Sequence, residues 1–193
     1  MPVTMTLACP HMRAPTHGFS LVEVLVAMLV VAMGILALAG LLQASVRYSK
    51  MSELRSTATL LANDIADRLR ANPIGAKLGA DGYDLTAKAF PTALAATHAG
   101  CTRAAPCDPA ELARADLTAW TARLRATLPK GSAWVQFHAG KAPAPDFVDV
   151  WVAWADPLTL APGMSTERSG AECPPAWKTT DSSVRCVYLQ VAL

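Results

Sequence analysis

Two hydrophobic patterns meet inside one uninterrupted stretch of the chain. From Val24 to Leu42, nineteen consecutive residues carry neither a charge nor a polar side chain. Beyond Leu42 the apolar positions thin to a stripe at spacings of three and four: Leu54, Ala58, Leu61, Ile65 and Leu69. Arg47, Lys50, Glu53, Arg55, Asp64, Asp67, Arg68 and Arg70 fill the turns between them. The first pattern is a helix apolar on every side, and the second is an amphipathic helix with one buried face. No breaker separates them until Asn72-Pro73 and Gly75. One helix from about Phe19 to Ala71 is therefore expected, roughly 80 Å long at about 1.5 Å per residue. Gly34 and Gly40 inside the apolar half fit either a place where the helix bends or a close helix contact.

The remaining chain reads as a small α+β domain. Residues 72–100, rich in Ala, Gly, Pro and Thr, read as a long loop with Tyr83 pinned to the core. Asp108-Pro109 has the acid-then-proline order of a helix start. Leu112, Leu117, Trp120, Leu124 and Leu128 would be that helix's buried stripe, and Pro129-Lys130-Gly131 its end. Ala133–His138, Phe147–Ala155 and Val184–Leu193 alternate as strands. In the second, Val148, Val150, Val152 and Trp154 share one face, with Phe147, Asp149, Trp151 and Ala153 on the other. Gly140 to Pro145 is a loop of the right length to join the first two antiparallel. Asp156 to Asp181 is a longer irregular connection.

Length settles what the apolar stretch can do. Phe19 to Leu42 would span about 36 Å, against about 30 Å for a bilayer's hydrocarbon core. A secretory signal has an apolar region of only about 7–15 residues followed by a small-residue cleavage site. Here the processing-like junction, Gly18-Phe19, comes before the run. Leu7-Ala8-Cys9 has no apolar segment ahead of it and is rejected as a lipoprotein site. Glu23 is the anomaly, because a carboxylate near the start of a membrane-length helix is costly without a partner and marks a functional position.

About 150 residues remain beyond the apolar helix, enough for one domain. The formal net charge of +2, with no run of Lys or Arg, gives no argument for a nucleic-acid partner. The cysteines are Cys9, Cys101, Cys107, Cys173 and Cys186. Cleavage at the Gly18-Phe19 junction would remove Cys9 and leave an even four beyond the apolar helix, which reads as disulfides if that part is exported. Four cysteines allow three connectivities, and proximity alone favours 101–107 with 173–186.

Gly18-Phe19-Ser20-Leu21-Val22-Glu23 followed by a clean apolar run resembles the class III signal of type IV prepilins and pseudopilins. The resemblance implies cleavage after Gly18 by a prepilin peptidase and N-methylation at Phe19. It also implies a helix that leaves the inner membrane for a filament core, with Glu23 neutralising the new amino group of a neighbouring subunit. The rival reading of Glu23 is an interfacial residue of a plain signal anchor. The segment Leu61-Ala62-x-Asp64-x-Ala66-Asp67-Arg68-x-Arg70-Ala71-Asn72 resembles minor pilins of the PilV type. So do Asp116-Leu117, Trp120 and Leu128-Pro129-x-Gly131.

The implied fold is that of a type IV pilin, a long N-terminal helix packed on a small antiparallel sheet. Its parts would be a leader at 1–18, a filament-core helix at 19–42, a spine at 43–71 and a periplasmic head at 72–193. The leader departs from the family in having one Arg and two His, and Met12 offers an internal start of typical leader length. With Arg47 and Lys50 flanking the far end, charge does not orient the helix. The implied partners are other minor pilins, the major pilin, the prepilin peptidase, the inner-membrane assembly machinery and, before assembly, the lipid bilayer. The implied location is the inner membrane with a periplasmic domain, then the pilus, in a role supporting assembly and so adhesion or twitching motility.

No catalytic residue, metal site or cofactor is expected. His98 and His138 are isolated, Asp146 and Asp149 fall on opposite faces of a strand, and no hydrolase, zinc or phosphate-loop motif is present. Trp134, Trp151 and Trp154 could stack on carbohydrate, but packing of a small sheet is the better reading. The two rival functions are a type II secretion pseudopilin and a membrane-anchored periplasmic enzyme or carbohydrate-binding module.

Overall fold

In a computed structural model, the structure describes residues 18–86, 90, 101–102, 106–156, 173–174, 177 and 183–193. Helix α1 (Leu21–Ala71) is unbroken over 51 residues. It opens at Ser20, whose carbonyl oxygen accepts from the Glu23 and Val24 amides at 3.0 and 3.3 Å. The chain divides into two compact units between Ser45 and Val46.

In the N-terminal unit the described side chains are exposed, apart from half-buried Ala44. This part of α1 is long and apolar enough to cross a membrane, with a mean hydropathy of 2.8 over its most apolar window. The C-terminal unit follows the other pattern. Leu54, Ala58, Leu61, Ala62, Ile65, Ala66 and Leu69 are all buried, the stripe that the three-and-four spacing predicts.

Strands β1 (Ser132–His138), β2 (Phe147–Ala155) and β3 (Val184–Ala192) form an antiparallel meander in the order β1-β2-β3. Their inward residues include Ala133, Val135, Val148, Val150, Val152, Trp154 and Val191. These join the α1 stripe and a second long helix, α3 (Pro109–Thr127), in one apolar core. A long N-terminal helix with an apolar stretch and a small three-stranded antiparallel sheet agrees with the type IV pilin fold.

Helix α3 (Pro109–Thr127) starts at Asp108, as its acid-proline pair predicts. A capping box completes the start. The Asp108 carboxylate accepts from the Glu111 amide at 2.7 Å, and the Glu111 carboxylate accepts from the Asp108 amide at 3.1 Å. Its buried residues are Ala113, Trp120, Thr121 and Leu124. Leu112 is 37% exposed, so the expected stripe is wrong by one position there. Ala113, fully buried, faces the core instead. After α3, Gly131 is buried in the turn, and a Cβ there would lie 2.6 Å from the Leu124 carbonyl oxygen.

The long loop expected after Ala71 is a second correction. Helix α2 (Pro73–Lys77) and a 3-10 turn (Gly79–Asp81) occupy its first part. Leu85 then exchanges backbone hydrogen bonds with Val135 at 2.8 and 3.1 Å. Asn72 ends one helix and begins the next. Its side-chain oxygen accepts from the Gly75 amide at 3.0 Å and its Nδ2 donates to the Pro109 carbonyl at 2.8 Å. A Cβ on Gly75 would come within 2.6 Å of that same carbonyl, so glycine is required where α2 meets the start of α3.

Candidate functional site

The residues expected to be processed and to drive assembly lie at the start of α1. Gly18 and Phe19 precede the helix, and Glu23 sits in its first turn. Phe19 is 83% exposed. A Cβ at Gly18 would meet nothing within 4 Å, so packing does not demand glycine there. Phe19 and Glu23 are four residues apart and line one open groove with Val24, Ala27, Met28, Val31, Ala32 and Ile35. Among the described residues lining this groove Glu23 is the one ionisable side chain, and the others are apolar. A helix face built this way suits another apolar helix or lipid, and it holds one carboxylate beside the junction where cleavage would create an amine.

The head shows what the shared motif of α1 and α3 does. Arg68 Nε lies 3.3 Å from Asp64 Oδ1, and its guanidinium donates to Asp116 Oδ1 at 2.8 Å. The Tyr83 hydroxyl donates to the other Asp116 oxygen at 2.5 Å. Arg123 lies 3.5 Å from Asp64 Oδ2. Burial alone would lower the Arg68 pKa, but hydrogen bonds and charge from Asp116 and Asp64 outweigh it and raise it. Burial, then Asp116, drives the Tyr83 phenol well above its ordinary range, so it is a fixed donor. Beside this network Trp120, fully buried, donates its indole N–H to the Leu61 carbonyl at 2.8 Å. Asp64, Arg68, Asp116 and Trp120 therefore pin α3 onto the spine. Tyr83 is the member whose role in this network sequence spacing did not show, because its partners are 15 and 33 residues away.

The four cysteines beyond the apolar helix pair as Cys101–Cys107 and Cys173–Cys186. The second bond ties the β2–β3 connection to β3, where Cys173, Cys186, Trp134, Ala153, Trp177 and Val184 make a smaller apolar cluster. Of the three tryptophans considered for carbohydrate stacking, Trp134 and Trp154 are buried, while Trp151 is only half-buried. His98 lies outside the described residues. His138 is half-exposed at the end of β1, with Nε2 3.2 Å from Asp149 Oδ2. Among the described residues no group of three or more His, Cys, Asp or Glu side chains could hold a metal ion.

Comparison with known proteins gives one finding at the N-terminal end and none elsewhere. The family model described as a prokaryotic N-terminal methylation motif matches residues 13–39. That span holds Gly18, Phe19, Glu23 and most of the apolar run, and it supports a type IV pilin-like prepilin. No curated protein and no solved structure matches the chain.

Proposed function

We propose that the chain is a minor pilin of the PilV type, a non-enzymatic subunit that helps initiate or cap a type IV pilus. A prepilin peptidase cleaves after Gly18 and methylates the new amino terminus at Phe19. The apolar half of α1 then moves from the inner membrane into a filament core, and the head stays on the outer side to meet other minor pilins and the major pilin. The observation that carries this reading is the placement of Glu23. It is an acid one turn from the cleavage junction, on the same groove as Phe19, at the start of an apolar helix exposed on all sides. In a dry packed core either charge alone would cost several kcal/mol, and an amine from one subunit beside a carboxylate from the next offsets much of that cost. The prepilin-like motif over this segment supports the same reading.

Replacement of Glu23 by Leu tests it in cells that make the pilus. The variant is expected to reach the membrane at the parent's level while its amount in sheared filaments falls at least about tenfold, as for a lost buried charge pair. Filament entry equal to the parent's contradicts the proposal. Lost protein secretion with intact piliation would reassign the subunit to a secretion pseudopilus.

A further inference from the structure

Between its apolar run and its buried stripe, α1 passes through a short neck of different chemistry. Leu54 is the first buried position of the helix, and Met51 before it is half-buried. From Val46 to Lys50 the side chains are exposed, apart from half-buried Arg47. Tyr48 is 62% exposed, although its ring is mostly apolar. The neck therefore sets an aromatic ring with a polar tip among two cations, Arg47 and Lys50, and the hydroxyl of Ser49. It is neither wholly apolar, like Val24 to Leu42, nor striped, like the spine beyond it.

The length of the helix fixes where this neck falls. At about 1.5 Å per residue, Leu21 to Leu42 rises about 32 Å, which matches the roughly 30 Å hydrocarbon core of a bilayer. Arg47 then begins about 8 Å beyond Leu42, and Leu54 about 18 Å beyond it. The head groups add only about 5–8 Å on each side of the core. Side chains on a helix lean toward its N-terminus, here back toward the apolar run. Long Arg and Lys stems extend that reach, so the charged ends of Arg47 and Lys50 and the Tyr48 hydroxyl fall in the head-group layer. The buried stripe from Leu54 onward stands clear of it.

The charges of the neck are unequal in what they have left to bind. Lys50 Nζ lies 2.9 Å from Glu53 Oε2, so its charge is partly neutralised by an acid three residues on. Among the described residues no acid pairs with Arg47. Arg47 and Lys50 are themselves three residues apart and so neighbours on the helix surface. A guanidinium presents a fork of N–H donors that fits two oxygens of a phosphate, and an adjacent ammonium adds a point charge. Tyrosine is favoured where its ring meets an apolar boundary and its hydroxyl meets water. A phospholipid supplies that boundary and that phosphate together, directly beside the apolar run.

We propose that the neck is a docking site for the phosphate of a phospholipid head group, with Arg47 as its main ligand and Tyr48 as the interfacial anchor. Glu53 limits the contribution of Lys50. The site rests on the membrane-spanning reading of the apolar run. The full chain is reconstituted in phosphatidylcholine vesicles with traces of spin-labelled phosphatidylglycerol or phosphatidylcholine, and the relative association of the two labelled lipids is read from their immobilised fractions. Arg47→Gln is expected to lower the preference for phosphatidylglycerol about fivefold, the factor for one cation near an anionic surface. Glu53→Gln, which frees Lys50, should raise it by a similar factor. Near-ultraviolet circular dichroism checks that the head of each variant is folded. An inserted chain whose preference neither substitution changes overturns this inference alone. So does a preference that excess inorganic phosphate abolishes, because the site would then take a free anion. A chain that alkaline carbonate strips from the vesicles overturns the membrane reading and this site with it.

Discussion

Ile35 and Ile65 are the same side chain in the same helix, yet Ile35 is 61% exposed and Ile65 is 0% exposed. Around Ile35 every position is apolar, whichever way it points. Around Ile65 only the stripe facing the sheet is. Full burial of a side chain this size contributes about 1.5–3 kcal/mol. Residues 46–71 obtain that stabilisation from the chain's own core. Residues 21–45 present the same chemistry on all sides of a single helix, which only lipid or other helices can cover. One helix is thus written for two solvents, and the lone acid of its apolar part stands at the end where the surroundings would change.

The largest expected effect falls on the head alone. Trp120→Ala removes a fully buried indole and its hydrogen bond to Leu61. It should cost about 3–5 kcal/mol in urea unfolding of the full chain in micelles, followed by near-ultraviolet circular dichroism. The matched isoleucines sharpen the comparison. Ile65→Ala should cost about 2–5 kcal/mol in that experiment, and Ile35→Ala should stay within about 0.5 kcal/mol of the parent. Equal losses would mean that the apolar half belongs to the head's core.

A smaller effect is expected at the pin between α1 and α3. Asp116→Asn keeps the shape but removes the charge that Arg68 and Tyr83 share, at a cost of about 1–3 kcal/mol, less whatever water screens at this partly exposed pair. Tyr83 adds a pH signature. Its folded pKa lies above the unfolded value of 10.0, so the unfolded chain loses the proton first. Its contribution is complete below about pH 10 and is lost as pH rises towards the folded value. Tyr83→Phe should flatten that alkaline decline in urea midpoints measured against pH.

The smallest effect belongs to Lys77 and Asp146, 2.9 Å apart on the surface. Lys77, then the Gly140 amide, holds the Asp146 carboxyl below its ordinary range. Any advantage of the parent over Lys77→Met is therefore present above the usual carboxylate range. It vanishes as pH falls through the depressed value, where the two unfolding curves should coincide.

What could be read in advance follows from how far apart the determinants lie. The α1 stripe, the Asp108 cap and the alternation of β2 are carried by residues within a few positions of one another, and each appears where local spacing puts it. Leu112 misled because leucine is the apolar choice by composition, whereas the buried face of α3 runs through Ala113, Trp120, Thr121 and Leu124. Helix α2 was hidden because Asn72-Pro73 and Gly75 signal a stop equally well as a cap, a first turn and a close approach. The partnership of Tyr83 with Asp116 depends on tertiary register, which no single segment contains. At the start of α1 the reverse holds. Among the described residues a Cβ at Gly18 would meet nothing within 4 Å, and the residue stands out only as part of the matched motif.

The central claim is that Gly18-Phe19 is a cleavage junction and the segment after it a helix that changes surroundings. Intact mass of the protein extracted from the membranes of its own cells tests this directly. A chain that begins at Phe19 and carries one added methyl group on its amino terminus is the predicted result. A chain that still carries residues upstream of Phe19 would contradict it.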